Sequence, residues 1–291
     1  MPPAETEISV ELVRALLKEQ HPDLADLDLR FENEGWDSVI YRLGAELAVR
    51  MPRRAINAAL LPGELRWLPE LAPHLPLPIS AAVRAGEPGC GYPWPWSITP
   101  WFDGASWADV DVRDPFEAAT TLGWFVRELG VDAPTDAPRN PYRGGPFTDR
   151  DPAFRERVVQ LGATIDTGAV LAVWNEALDA PRNTAWRWLH GDLHPANIVV
   201  NAGQIAAVID WVDIGAGDVA YDLAAAWLCF DDPLVRATFV GATGVTDDAT
   251  WVRARGCALS HGIACLASSA DNQRMHDVGQ RTLDAVLGDP S

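Results

Sequence analysis

The stretch His190-Gly-Asp-Leu-His-Pro-Ala-Asn197, with Asp210 thirteen residues further on, constrains the fold of this chain more than any other. Between Asn197 and Asp210 lie two apolar runs, 198–200 and 205–209, separated by Asn201-Ala-Gly-Gln204. Two such runs flanking a glycine-containing turn predict a β-hairpin. A hairpin brings its end back to its start, and paired strands lie roughly 5 Å apart. Asn197 and Asp210 are therefore expected as neighbours that can share one metal ion. Asp192 lies on the loop entering the hairpin, where it can face whatever that metal carries. A carboxylate, a carboxamide and a second carboxylate at this spacing suit phosphoryl transfer.

This order of residues resembles the catalytic segment of the aminoglycoside phosphotransferase family, a branch of the protein-kinase-like fold. The general kinase pattern is His-x-Asp, four residues, Asn, then a downstream metal-binding Asp. His190, Asp192, Asn197 and Asp210 match it, and the chain continues in the family's manner with Asp210-Trp-Val-Asp213 and Gly217-Asp-Val-Ala-Tyr-Asp-Leu-Ala224. The resemblance is strongest between residues 188 and 226 and extends over most of the chain. It implies Asp192 as the catalytic base and Asn197 with Asp210 as ligands of Mg²⁺, an ion that prefers hard oxygen donors. It also implies a structural His190, and an Asp222 that holds the catalytic loop by its backbone. A zinc site built from His190, His194 and Asp192 is disfavoured, because Gly191 and Pro195 break any helix that would put both imidazoles on one face.

The rest of the chain supplies the parts a nucleotide needs. Strands are expected at 27–32, 38–43, 46–51, 79–84 and 91–102, with helices at 10–20 and 56–72 and a turn at residues 42–46. Beyond Gly104 helices are expected at 114–130, 152–161, 166–179, 218–230, 232–241, 247–269 and 273–287. The Pro- and Gly-rich stretch 132–150 is expected as an irregular surface loop or lid. A strand-rich first third and a helical remainder give an α+β chain. The resemblance makes this a two-lobed kinase-like fold, with a nucleotide-binding lobe at 1–101 and a catalytic, substrate-binding lobe at 102–291.

Kinase-like proteins place a lysine on the third strand, paired with a helix glutamate. Arg50 holds that place here, with Glu64 as its expected partner. Lys18, the only lysine against 22 arginines, precedes every strand. Arginine is not interchangeable with lysine, so this is a departure from the pattern. Arg53 and Arg54 are expected as surface groups. The turn Asn33-Glu-Gly-Trp-Asp-Ser38 is the candidate phosphate-covering loop, with Ser38 or nearby amides as contacts. Pro100 offers a carbonyl and Phe102 an N–H, one acceptor and one donor two residues apart, as an adenine edge requires.

Forty-eight per cent hydrophobic and 22% charged residues describe a folded chain with a sizeable core. The net charge of −18 argues against nucleic acid and anionic membranes as partners. No signal peptide or membrane span is read from the sequence, and the four cysteines lack CxxC spacing, so buried thiols in the cytoplasm are expected. The function implied is transfer of the γ-phosphoryl group of ATP or GTP to a hydroxyl of a small-molecule substrate. The acidic charge favours a cationic acceptor such as an aminoglycoside. A macrolide or a choline-type amino-alcohol is the alternative acceptor, and a nucleotide-binding regulatory module with lost catalysis is the alternative class.

Overall fold

The computed structural model describes residues 3–140, 143–182, 185–269 and 271–289. The chain divides into two compact units. One comprises the residues up to Pro73, Pro78–Asp103 and Asp210–Val212; the other comprises His74–Leu77, Gly104–Ile209 and the residues from Asp213 onward.

The first unit opens with helix α1 (Val10–Gln20), capped by the Ser9 hydroxyl, which accepts the Leu12 N–H. Its stripe of Val13, Leu16 and Leu17 is fully buried. Strands β1 (Leu29–Glu34), β2 (Ser38–Leu43) and β3 (Leu47–Pro52) follow, then helices α2 (Ala55–Ala58) and α3 (Leu61–Leu71), and strands β4 (Arg84–Gly86) and β5 (Trp96–Pro100). They form one antiparallel sheet in the order β1-β2-β3-β5-β4. Strand side chains alternate in direction. Val39, Tyr41, Leu43, Val49, Met51, Trp96 and Ile98 meet the α1 stripe in one core, and Arg50, between two core residues, must point to the other face.

Two expectations are corrected by proline. The helix expected over 56–72 is two helices, because Pro62 lacks the N–H that a continuous helix would need there. Pro93 and Pro95 cannot donate to a sheet ladder. The strand expected over 91–102 therefore shortens to Trp96–Pro100, and its partner lies at Arg84–Gly86 and not at 79–84.

The second unit begins with β6 (Ala105–Ser106) and continues through α4 (Pro115–Leu129), α5 (Asp151–Leu161) and α6 (Thr167–Asp179). Then come β7 (Arg187–Leu189), the hairpin β8 (Ile198–Asn201) and β9 (Gln204–Val208), and β10 (Gly215–Gly217). Helices α7 (Ala220–Leu223), α8 (Ala225–Cys229), α9 (Pro233–Thr243), α10 (Asp248–Ser268) and α11 (Gln273–Leu287) complete it. The helix expected over 218–230 is thus divided at Ala224. The expected hairpin is present, with Ile198 opposite Val208 and the Ile209 N–H on the Asn197 carbonyl at 2.9 Å. Helix α10 is apolar on several sides at once and packs against α5, α6, α7, α8 and α11. Stretch 132–150 is irregular until a short 3₁₀ turn at Phe147–Asp149, and its residues 141 and 142 lie outside the described residues.

Cysteine burial is uneven: Cys257 and Cys265 are buried as expected, but Cys90 is exposed, with its thiol 3.0 Å from the Glu19 carboxylate. Among the described residues, no helix is long and apolar enough to cross a membrane.

Candidate active site

The loop after β7 is held from below by a single buried carboxylate. Asp222 accepts the His190 N–H at 2.7 Å and the Gly191 N–H at 2.8 Å. Burial pushes its carboxyl upward, opposed by the nearby His190 and these two N–H groups. His190 is fully buried; its Nδ1 accepts the Asp192 N–H, which leaves Nε2–H to donate to the Ile209 carbonyl at 3.0 Å. Gly191 has a φ of +86°, and a Cβ there would meet the Asp213 carbonyl at 2.8 Å. Only glycine lets the chain turn here this tightly.

Asp192 stands at the tip of that loop, surrounded by basic groups. The Arg143 guanidinium donates to its Oδ1 at 2.7 Å, His194 Nε2 lies 3.4 Å from its Oδ2, and His261 Nδ1 lies 3.6 Å from its Oδ1. Burial works against ionisation, but Arg143, His194 and His261 outweigh it and hold the carboxyl well below the usual carboxylate range. Burial, reinforced by His194, pushes His261 down to about 3, against the pull of Asp192.

The ligating atoms of Asp192, His194 and His261 all lie within 4.8 Å of one another. His194 Nδ1 accepts the Ala196 N–H, and its Nε2 lies 3.3 Å from the Asn197 amide nitrogen and 3.4 Å from Asp192 Oδ2. His190 is not part of this group.

Asn197 is fixed by its amide nitrogen, which donates to the Asp192 carbonyl at 3.0 Å. Its Oδ1 forms no hydrogen bond among the described residues. A donor–acceptor side chain is thereby oriented with its oxygen available.

In the first unit, Arg50 bridges two acids. It pairs with Glu64, which is 4% exposed, and its Nη2 lies 3.2 Å from Asp210 Oδ1. Burial alone would lower the guanidinium's pKa, yet Glu64 and Asp210 raise it. Asp210 adopts a left-handed φ of +61°, a conformation that aspartate tolerates better than most residues. Arg53 is not a surface group, as expected from sequence. It is 3% exposed, pairs with Glu34 at 2.5 Å and donates to the Gly35 carbonyl, so it staples the 33–38 turn. Arg54 binds Asp37 of the same turn at 3.4 Å. Ser38 is buried at the start of β2, its carbonyl accepting the Gly35 N–H. At the end of β5, Pro100 lies opposite Leu47 and Trp101 N–H donates to Glu46, while Phe102 N–H takes no partner among the described residues.

The sequence-derived residues thus fall into two groups. Arg50, Glu64 and Asp210 converge in the first unit, with Ser38 and Pro100–Phe102 at other points of its sheet. Asp192 and Asn197 converge in the second unit. Sequence reasoning missed Arg143 and His261. Arg143 sits in an irregular loop whose Gly144 packs its backbone against Gly217 of β10, where a Cβ would approach to 2.5 Å. A Gly-Gly pair beside an arginine was its faint signal. His261 had none, being one polar position on a mostly buried helix.

An antiparallel sheet bearing an arginine–glutamate pair, and a helical unit bearing a His-x-Asp loop and a hairpin, together define a protein-kinase-like fold. Residues 28–257 match the model of the phosphotransferase enzyme family (APH). The chain belongs to that family. Among solved structures, it is similar to the GDP complex of aminoglycoside 2'-phosphotransferase-IIIa, with a TM-score of 0.68, 19% identity and coverage of 95% of this chain and 97% of that one. It is also similar to the apoenzyme of a macrolide 2'-phosphotransferase from Brachybacterium faecium, with a TM-score of 0.62, 24% identity and coverage of 97% and 98%. A homoserine kinase from Gluconobacter oxydans (strain 621H) is 27% identical over 206 residues, 65% of this chain. The chain spans 61% of that relative's length.

Proposed function

We propose that this protein is a small-molecule kinase that transfers the γ-phosphoryl group of ATP or GTP to a hydroxyl of its acceptor. The observation that carries this reading is Asp192, ionised and immobilised on a loop that Asp222 and His190 fix from behind. Phosphoryl transfer asks little covalent chemistry of a protein; it asks for positioning and charge stabilisation. Asp192 would accept the acceptor's O–H as a hydrogen bond, align its oxygen, and take the proton as the new O–P bond forms. A carboxylate held so low is a weak base, which suits a late proton transfer and makes orientation its main contribution.

Mg²⁺ would be held by Asn197 Oδ1 and by the Asp210 carboxylate. The fit is chemical: both are hard oxygen donors, and the Asn197 amide nitrogen is already committed elsewhere. The ion would neutralise charge on the transferring phosphate. Arg50, held by Glu64, would contact the nucleotide phosphates, with Ser38 and the 33–38 turn beside them. Pro100 carbonyl and Phe102 N–H would receive the base. Residues 1–101 would serve as the nucleotide-binding lobe and 102–291 as the catalytic lobe of a cytoplasmic enzyme without nucleic-acid or membrane partners.

The acceptor turns on charge. The chain's −18 favours a cation such as an aminoglycoside, with antibiotic resistance as the consequence. The similarity to a homoserine kinase points instead to a small hydroxylated amino acid. Incubation of a mixed library of both kinds with the protein, Mg²⁺ and either nucleotide, followed by mass spectrometry, tests the proposal. A mass gain of one phosphate on one compound is expected, and no gain on any compound would count against the kinase.

A further inference from the structure

We infer that the acceptor carries an anionic group, a carboxylate or a phosphate, and that Arg150, assisted by Arg143, receives it. This inference deepens the kinase reading and rests on it. Net charge describes the whole molecule, but charges separated by more than about 8 Å are largely screened at physiological ionic strength. The groups near Asp192 therefore decide which ligand is admitted.

Those groups are cationic beyond what their neighbours neutralise. Arg143 occupies Asp192 Oδ1 at 2.7 Å and reaches Asp213 Oδ2 with its Nε at 3.3 Å. An ammonium-bearing acceptor would have to approach a carboxylate that an arginine already covers. Arg150 lies over the Tyr221 ring, 5.7 Å from its centroid, and forms no ion pair with a carboxylate among the described residues. Tyr221 packs against the same loop through its hydroxyl, 3.3 Å from the Gly145 carbonyl.

Arg157 lies seven residues beyond Arg150, two helical turns along α5, and so shares its face. It too is half-buried with no ion pair among the described residues. Burial lowers its pKa first, and repulsion from Arg150 and Arg143 lowers it further. His261, on Asp192, is depressed partly by the same two arginines. Guanidinium groups crowded together, two of them without a carboxylate, are relieved by an anion. Their planar fork matches a carboxylate or phosphate with two parallel hydrogen bonds.

The test reads thermal stability with Mg·ADP present in excess, so that the nucleotide's own site is filled. The probes are glycerol 3-phosphate and malonate as anions, against spermidine and kanamycin as cations. The expected result is a rise of several degrees in Tm with millimolar anion, reduced in Arg150→Gln and abolished in Arg150→Glu, with no rise for the cations. A rise with the cations alone, no rise with any probe, or an equal anion effect in Arg150→Glu would each overturn the inference. Failure of the kinase reading shows separately. It would appear as an absence of acceptor-dependent phosphate transfer while the anion-dependent rise in Tm persists.

Discussion

The two units each build a site around one charge, and the two are electrical opposites. In the first, a single cation, Arg50, stands between two carboxylates, Glu64 and Asp210. In the second, a single carboxylate, Asp192, stands among a guanidinium and two imidazoles. Both charges are half or more removed from water, and both are kept in their ionised form by a partner of the other sign, Glu64 for Arg50 and Arg143 for Asp192. They differ in how they are assembled. Arg50 and Glu64 come from adjacent elements, β3 and α3, fourteen residues apart. Asp192 collects partners from a loop about fifty residues earlier and a helix about seventy later. The first arrangement is a rigid holder set by local chain geometry; the second depends on correct packing of the whole helical unit.

Four experiments would break or sharpen this contrast. Replacing Asp192 by Asn should have the largest effect, a loss of about 10³-fold in acceptor-dependent turnover, since it removes both the charge and the base. Nucleotide affinity, measured by calorimetry, should change little; near-normal turnover would remove Asp192 from its role. Arg50→Ala should come next. It leaves Glu64 buried without its cation, at a cost of about 3 kcal/mol in urea unfolding, and should weaken nucleotide binding as well. An unchanged midpoint would mean that the Arg50–Glu64 pair adds nothing to stability.

His261→Gln probes the second site through pH. The folded chain keeps His261 unprotonated down to about 3, whereas the unfolded chain takes up a proton near 6.5. As pH falls through that window, protons favour the unfolded state, so stability should fall by roughly 2 kcal/mol at pH 5. Asp192, His194, Arg143 and Arg150 face this ring, and the variant keeps all of them while abolishing the loss. Parallel Tm–pH curves for the two proteins would contradict the depression.

Arg143→Ala should give the smallest effect. Asp192's folded pKa is depressed, so the stability it contributes is complete above about pH 4 and drains only below that. Without Arg143, burial would lift the carboxyl, and kcat/KM should fall about tenfold near pH 5 while remaining closer to wild type at pH 8. Superimposable pH–rate profiles would show that Arg143 does not govern the base.

Much of this was legible in the residues, because the informative signals were local. The 198–209 hairpin follows from apolar runs around a glycine turn, and Arg50 and Glu64 from their places on the third strand and following helix. What escaped was long-range or hidden by punctuation. Arg143 is set by a backbone approach between Gly144 and Gly217, seventy-odd residues apart, which no periodicity encodes. His261 lies on a helix whose other faces are buried, so its polarity carried no address. Arg53 looked like its neighbour Arg54, because nothing in a single sequence reveals that the 33–38 turn folds over it.

Arginine at position 50 has a chemical corollary. A guanidinium is neither acylated by ordinary amine reagents nor switched off by any pH at which the protein folds. Amine-directed nucleotide analogues, which mark many ATP-using enzymes by attacking a phosphate-binding lysine, would find no nucleophile there. The one lysine side chain, Lys18, lies at the end of α1, so side-chain acylation should map to that residue and leave position 50 unmodified.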